Sequence, residues 1–506
     1  MKIEVVYLYP YQKKLYTHLK NYFIFLVVIT LLTTCKKDFT GDAKMQSLPE
    51  TYMVVDKISR SGVLRLSTTI EAHWWGVSQT GLIKGYEVSI DNQLTWQFSK
   101  NQNGTFLLTI PVGKDTADIA VYVRAVDNLD QKDPTPASTL YPVKNTPPTI
   151  YIDNSNGRKS ISFPAFRYYW IANDTDGVAD IQGVEIAFND TNNIYSLPAN
   201  TTAATFESQI NSGVFSNKFF VYPNSKTIHQ TDLINGIIYD QYNKFWVRVY
   251  DRSGSRSKWS KDSIFIKKPK SDIVLFNDYT GSKNYYQNFY ANKLIALGAP
   301  YNNYDIVTSP IDEMPNDNFT SIKVFNFFKK IIWFSNNANA TLSLASQNTT
   351  SFFNNGGKMF MIVDIGGSFA YNESQVSFTP IASFVSPPTV NDQFKMNPGD
   401  TTIAVQSGWP NLITSSGILS TSIRPFFLQN TSANFAYSNL YNGKLVIPAS
   451  PAPISWTGQS ALIARRKDIA TGATNLIFSA IPFDLLQGNS NIDTVFRKII
   501  IEELKF

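Results

Sequence analysis

Gly85-Tyr-Glu-Val-Ser-Ile-Asp91 sets apolar side chains at every second position between a glycine and an aspartate, and Gly183-Val-Glu-Ile-Ala-Phe-Asn189 does the same further on. A period of two turns one face of an extended chain toward a core and the other toward water, so each stretch predicts a half-buried strand. A second pair supports the first. Val121-Tyr-Val-Arg-Ala-Val-Asp127 is matched by Phe245-Trp-Val-Arg-Val-Tyr-Asp251. Working outward, Gly62-Val-Leu-Arg-Leu-Ser67, His73-Trp74-Trp75 and Thr105-Phe-Leu-Leu-Thr-Ile110 supply strands to the first unit, and Ser160-Ile-Ser-Phe163 and Tyr168-Tyr-Trp170 to the second. Gly, Asn and Asp clusters separate them, and no run of helical period interrupts. Two tandem β-sandwiches are expected, over 51–146 and 147–269. Pro147-Pro148 stiffens their junction, and Lys267-Lys268-Pro269-Lys270 marks the exit from the second.

Two copies of tryptophan, then Gly-x-Glu-apolar, then Val-Arg-apolar-apolar-Asp resemble fibronectin type III or immunoglobulin-like modules, over about Leu48 to Lys268. That resemblance implies a sandwich and says little about function.

Near Ser271 the pattern changes. Asp272-Ile-Val-Leu-Phe276, Lys330-Ile-Ile-Trp-Phe334, Lys358-Met-Phe-Met-Ile-Val363 and Asn475-Leu-Ile-Phe-Ser-Ala-Ile481 are uninterrupted apolar runs, and stretches of helical spacing lie between them. Strands apolar on both sides need cover on both faces, as in a doubly wound parallel α/β sheet over 270–506. The stretch 386–460 is rich in Pro, Gly, Asn and Ser, with short β patterns such as Thr402-Ile-Ala-Val405, and reads as a β-rich insertion.

Asn354-Asn-Gly-Gly-Lys-Met-Phe-Met-Ile-Val-Asp-Ile-Gly-Gly367 in the middle, with Asn475-Leu-Ile-Phe-Ser-Ala-Ile-Pro-Phe-Asp-Leu-Leu486 before a closing helix, resembles the flavodoxin-like domains of class I glutamine amidotransferases. In that family the turn after the central strand is Gly-x-Cys-x-Gly, and a later His-x-Glu activates the thiol. Here Ile365 takes the place of the cysteine, and no histidine follows His229. The resemblance therefore implies the fold without the transferred activity.

The N-terminus has a different pattern. Lys13, Lys14 and Lys20 precede an apolar run from Phe23 to Leu32, and the chain's single cysteine, Cys35, follows Leu32-Thr33-Thr34. This order is that of a secretory signal, and the run is too short to span a bilayer. Leu-Thr-Thr-Cys resembles the lipobox of bacterial lipoproteins. It implies a signal peptide over 1–34, acylation at Cys35, a tether over 35–50 and a lipid-anchored place in the bacterial cell envelope, at the outer membrane, periplasmic or surface-exposed. A thiol bound to lipid leaves no cysteine nucleophile, disulfide or metal ligand. Loss of Lys2, Lys13, Lys14, Lys20 and Glu4 with the signal lowers the formal charge of +6 to +3. With no dense Lys/Arg run, a nucleic-acid partner is not expected.

Candidate sites follow from these assignments. In open α/β sheets ligands sit beyond the carboxyl ends of the strands, and those ends carry Asp278, Ser335, Asn336, Asp364, Gly366, Gly367, Ser368 and Asp484. Asp and Asn there are also ordinary helix caps, whereas two carboxylates brought together make an acid/base pair. Trp74 and Trp75 offer a glycan-stacking platform, or a core tryptophan for at least one of them. Asp174, Asp176 and Asp180 have spacing reminiscent of a calcium loop, without the late bidentate glutamate of an EF-hand, where a sandwich needs a turn. No catalytic residue and no cofactor is expected. The leading expectation is a non-catalytic binding or scaffolding protein, anchored to the membrane by its lipid, with a glycan or protein partner at the cell surface. The alternatives are an extracytoplasmic hydrolase of glycans or peptides pairing Asp364 with Asp278, and a carbohydrate-binding surface protein.

Overall fold

The computed structural model describes residues 47–60, 66–108, 110–225, 232–298, 304–308, 310–366, 369, 371–388, 393–416, 421–449 and 451–506. The expected signal, Cys35, most of the tether, His229, Gly367 and Ser368 lie outside the described residues. Among the described residues no helix is long and apolar enough to cross a membrane. The chain forms two compact units, the first ending at Lys144 and the second holding Asn145–Phe506 together with Ile110–Asp115.

In the first unit β1 (Glu50–Arg60) pairs with β2 (Leu66–Val77), β3 (Ile83–Ser89) with β4 (Gln97–Ser99), and β5 (Asn103–Leu107) with β2. On the other side β6 (Thr116–Asp127) joins β3 to β7 (Ala137–Lys144). A single bridge, Leu66 to Val143, links the β1-β2-β5 sheet to the β7-β6-β3-β4 sheet. The alternation fixes the interior: Ala72 and Trp74 of β2 meet Tyr86, Val123 and Ala125 of the facing sheet, all buried.

The second unit opens with another sandwich. One sheet is β8 (Thr149–Ile152), β10 (Ala165–Asn173), β13 (Ala203–Asn211) and β14 (Val214–Pro223). The other is β12 (Tyr195–Pro198), β11 (Ile181–Phe188), β15 (Gln241–Asp251), β16 (Ser260–Ile266) and the short β9 (Ile161–Ser162). The repeat seen in sequence is a repeat of register. Glu87 faces Arg124 and Glu185 faces Arg248, each after a bulge, at Ile83/Gly85 and Ile181/Gly183. Glycine is needed at both bulges, because a Cβ on Gly85 would meet the Phe98 ring at 2.5 Å and one on Gly183 the Tyr250 ring at 2.5–2.6 Å.

The rest of the second unit is built on a parallel run. Its strands are β17 (Ile273–Asp278), β18 (Asp305–Val307), β19 (Lys330–Ser335), β20 (Lys358–Val363) and β23 (Thr474–Ser479), in the spatial order β18-β17-β19-β20-β23. Ile273, Leu275, Ile332, Phe334, Phe360 and Ile477 point to one face, where Tyr290 and Leu294 of helix α1 (Lys283–Ala296) and Val495 and Phe496 of α4 (Asn491–Arg497) cover them. Val274, Phe276, Ile331, Trp333, Met361 and Phe478 point to the other face. Val324 and Phe325 of α2 (Asn318–Asn326) and Leu342 and Ala345 of α3 (Ala338–Asn348) cover them there. Both sides of each strand are thus dry, which is why these runs are continuously apolar.

The β-rich stretch 386–460 adds to the main sheet: β21 (Phe435–Gly443) pairs antiparallel with β22 (Ala461–Asp468), and β22 with β23. The second sandwich is bonded to the parallel part. Thr205 of β13 and Thr320 of α2, both buried, hydrogen-bond at 2.9 Å, Lys323 pairs with Glu207 at 2.6 Å, and Phe163 packs edge-on against Phe328. The second sandwich and the parallel sheet therefore share one compact unit.

Candidate functional site

Each parallel strand delivers its last residue to one edge of the sheet, and the chain then turns into a helix or loop. At the end of β17 the Asp278 carboxylate accepts a hydrogen bond from the Thr341 hydroxyl of α3, and Ser335, at the end of β19, shares that hydroxyl at 2.7 Å. Asn336 accepts from the Thr280 N–H at 2.8 Å. These polar atoms tie strand ends to the following segments.

Asp364 has a different neighbour. It follows β20, and Asp484 follows β23 in the turn Phe483–Leu486. Burial first, then the nearby charge of Asp364, push the Asp484 carboxyl up to about 6, and burial raises Asp364 as well. Asp484 is buried and its Oδ1 has no hydrogen-bond partner. Tyrosines from the β17–α1 turn complete the surroundings. Tyr279 stacks on Tyr286 with ring centroids 3.5 Å apart, and Tyr290 stacks on Phe334 at 4.2 Å. Burial, reinforced by Asp484, keeps the phenols of Tyr285, Tyr286 and Tyr290 protonated at neutral pH, and burial with Tyr290 and Asp484 does the same for Tyr279. The edge thus brings together two carboxyls whose pKa values burial raises and the phenols of four tyrosines, of which Tyr279 and Tyr290 are buried. Neighbouring carboxyls are suited to acid/base work.

Gly366 is described and adjoins this edge. Ile365 has no exposed surface and lies in the core with Phe369, Val363 and Phe478.

The other candidates separate from one another. Trp74 is core: it is 2% exposed and meets Tyr86 edge-on at 6.3 Å. Trp75, on the opposite face of β2, is 40% exposed and stacks on Tyr52 at 5.5 Å and on His73 at 6.0 Å. Only Trp75 retains the geometry of a stacking platform. Trp75→Ala is expected to change stability by less than about 1 kcal/mol in urea melts, whereas Trp74→Ala costs about 3–5 kcal/mol. Equal losses would contradict this division.

In the turn after β10, carboxylate oxygens of Asp174, Asp180 and Asp251 lie within 4.8 Å of one another. Asp176 stands apart from that trio, with its Oδ2 accepting the Thr146 N–H at 2.6 Å. The sequence spacing missed Asp251 because it arrives from the end of β15 through the fold.

The strand order, a β1-β2-β5 sheet against β7-β6-β3-β4, is repeated in the second sandwich with β14 and the short β9 added. Both are β-sandwiches. No family model matches the chain and no curated protein matches it. Solved structures that match are fibronectin(III)-like modules of Clostridium thermocellum CbhA, at 11% identity over 43% of this chain and 95% of that one, with a TM-score of 0.17. Others are the FN1–FN3 domains of chicken CNTN1, at 11% over 44% and 67% with a TM-score of 0.19, and a two-domain fibronectin type III segment of chicken tenascin, at 7% over 43% and 99% with a TM-score of 0.21.

Proposed function

We propose that this chain is a lipid-anchored extracytoplasmic binding protein of the bacterial cell envelope. Its C-terminal doubly wound α/β part is an amidotransferase-like domain that keeps the fold without the thiol chemistry. The observation that carries the reading is Ile365: at the elbow where the resembled family exposes a cysteine, this chain buries an aliphatic side chain in the core. The supply of residues agrees with it, since the single cysteine is spent at Cys35 and no histidine follows His229. Binding falls to the strand-end edge of Asp364, Asp484 and the tyrosines, whose protonated groups suit a ligand rich in hydroxyl or carbonyl oxygens. Anchoring falls to the acyl chains on Cys35, each buried CH₂ being worth about 0.8 kcal/mol.

Both halves are testable on the full chain. Labelled palmitate should enter the wild type and not Cys35→Ser, and the variant should leave the membrane fraction. An unchanged fractionation would remove the anchor. A screen of oligosaccharides and peptides should yield a ligand whose affinity drops at least tenfold in Asp364→Asn, with no product released.

A second reading, a hydrolase, draws on the neighbouring carboxyls Asp364 and Asp484, both raised by burial. Product release lost in both Asp364→Asn and Asp484→Asn would favour it over binding alone.

A further inference from the structure

We infer that the second sandwich binds one calcium ion between Asp174, Asp180 and Asp251. Oxygens around one calcium lie about 2.3–2.6 Å from it, so ligands on opposite sides are about 5 Å apart. The 4.8 Å spread of the three carboxylate oxygens matches that span. An all-oxygen, carboxylate-rich set suits a hard cation rather than a thiophilic or imidazole-seeking one.

Charge and hydrogen bonding both leave the cluster incomplete. Asp174 is 4% exposed; its Oδ1 accepts the Asp176 N–H at 2.9 Å, while its Oδ2 is buried without a hydrogen-bond partner. Asp176 is 2% exposed, and its Oδ1 is likewise without one. Both oxygens of Asp251 accept hydrogen bonds, Oδ1 from Ser253 Oγ and the Ser255 N–H and Oδ2 from Asn145 Nδ2, so the unsatisfied oxygens here are those of Asp174 and Asp176. Against four acidic groups the structure sets Arg252, whose Nε is 3.4 Å from Asp180 Oδ1. A buried carboxylate oxygen with neither donor nor counter-ion is costly, and a divalent cation satisfies it together with its neighbours.

The first sandwich shows that the fold does not require these acids. There the Arg252 N–H to Asp180 O bond has its counterpart in Asn128 N–H to Leu82 O, so Leu82, an exposed apolar residue, holds the place of Asp180. The turn before it is closed by Ser78 Oγ accepting the Gly81 N–H at 3.0 Å, with no carboxylate in it. Asp127, the counterpart of Asp251, caps its own turn through the N–H groups of Leu129 and Gln131. One hydroxyl and one carboxylate suffice for the turn. The further acids in the second sandwich are in excess of what the backbone needs.

The test uses the full-length protein stripped with EDTA and titrated with calcium chloride by calorimetry, with thermal unfolding in parallel. One equivalent should bind, with an affinity on the order of 10⁻⁴–10⁻³ M, as in extracellular calcium modules. The unfolding midpoint should rise with calcium and fall back with EDTA. Asp174→Asn and Asp180→Asn should each weaken binding at least tenfold, and Asp127→Asn should leave it unchanged. Asp180 is the less buried of the pair, so its variant decides the matter if Asp174→Asn fails to fold. No heat and no midpoint change up to about 10 mM calcium would overturn the inference, as would binding unaffected by Asp180→Asn. Tighter binding of magnesium than of calcium would overturn the assignment of the ion.

Discussion

Phe245→Ala should cost about 3–5 kcal/mol, at the upper end for an aromatic truncated in a core. Phe245 is fully buried at the centre of the second sandwich. Its ring stacks on Tyr168 at 4.1 Å and lies 5.1 Å from Phe188, 5.9 Å from Phe206 and 6.2 Å from Trp170. Truncation therefore removes several ring contacts at once, each worth about 0.5–1.5 kcal/mol beyond the area buried, and leaves a cavity walled by rigid rings that cannot collapse into it. Tyr242, on the same strand, is 64% exposed. Tyr242→Ala should cost about 1 kcal/mol or less. Because β13 of this sandwich is bonded to α2, the loss should also appear as faster amide exchange in α2, a segment far from Phe245 in sequence. Similar costs for the two variants, or a Phe245→Ala effect confined to the sandwich, would show that the second unit does not fold as one body.

The residues that made this core legible in the sequence are those that obey a simple period. Val121, Val123, Phe245 and Val247 alternate cleanly, because β6 and β15 bury one face there. β17, β19 and β20 are recognisable for the opposite reason: both faces are dry, so every position is apolar. β21 has neither pattern. Its register slips between Asn439 and Tyr441 and again at Asn442, so Leu440 and Tyr441 are both buried as neighbours and the period of two is lost. Bulges of this kind re-aim side chains without leaving a compositional trace. The union of the second sandwich with α2 was hidden differently, since Thr205, Glu207, Thr320 and Lys323 are polar and read as surface. At the candidate sites local spacing identified Asp174, Asp180, Asp364 and Asp484 individually. It could not say that Asp251 completes the first pair, or that Thr341 bonds Asp278, because those partners meet only in the folded chain.

Asp484→Asn should stabilise the protein at neutral pH and leave its stability at acid pH nearly unchanged. The Asp484 carboxyl titrates near 3.8 when free and is pushed up to about 6 in the fold, chiefly by burial and then by the charge of Asp364. Below pH 4 it is protonated in both folded and unfolded chains and costs nothing. As pH rises from 4 to 6 the unfolded chain gives up this proton while the folded chain keeps it, so folding loses stability throughout that window, and above about 6 the loss is complete. A shift of about two units corresponds to about 2–3 kcal/mol. Asparagine has the shape of the protonated acid and no charge to bury, so most of that sum should return at pH 7.5 and little of it at pH 4. Asp364→Asn removes the repelling neighbour alone, and should give a smaller gain at pH 7.5 and a lower Asp484 pKa by carboxyl-resolved NMR. The surrounding tyrosines, Tyr279, Tyr285, Tyr286 and Tyr290, do not titrate in this range. Calorimetry of wild type and variants at the two pH values measures the difference directly. An Asp484→Asn gain of equal size at pH 4 and pH 7.5 would mean that the gain does not come from the buried charge of this carboxyl.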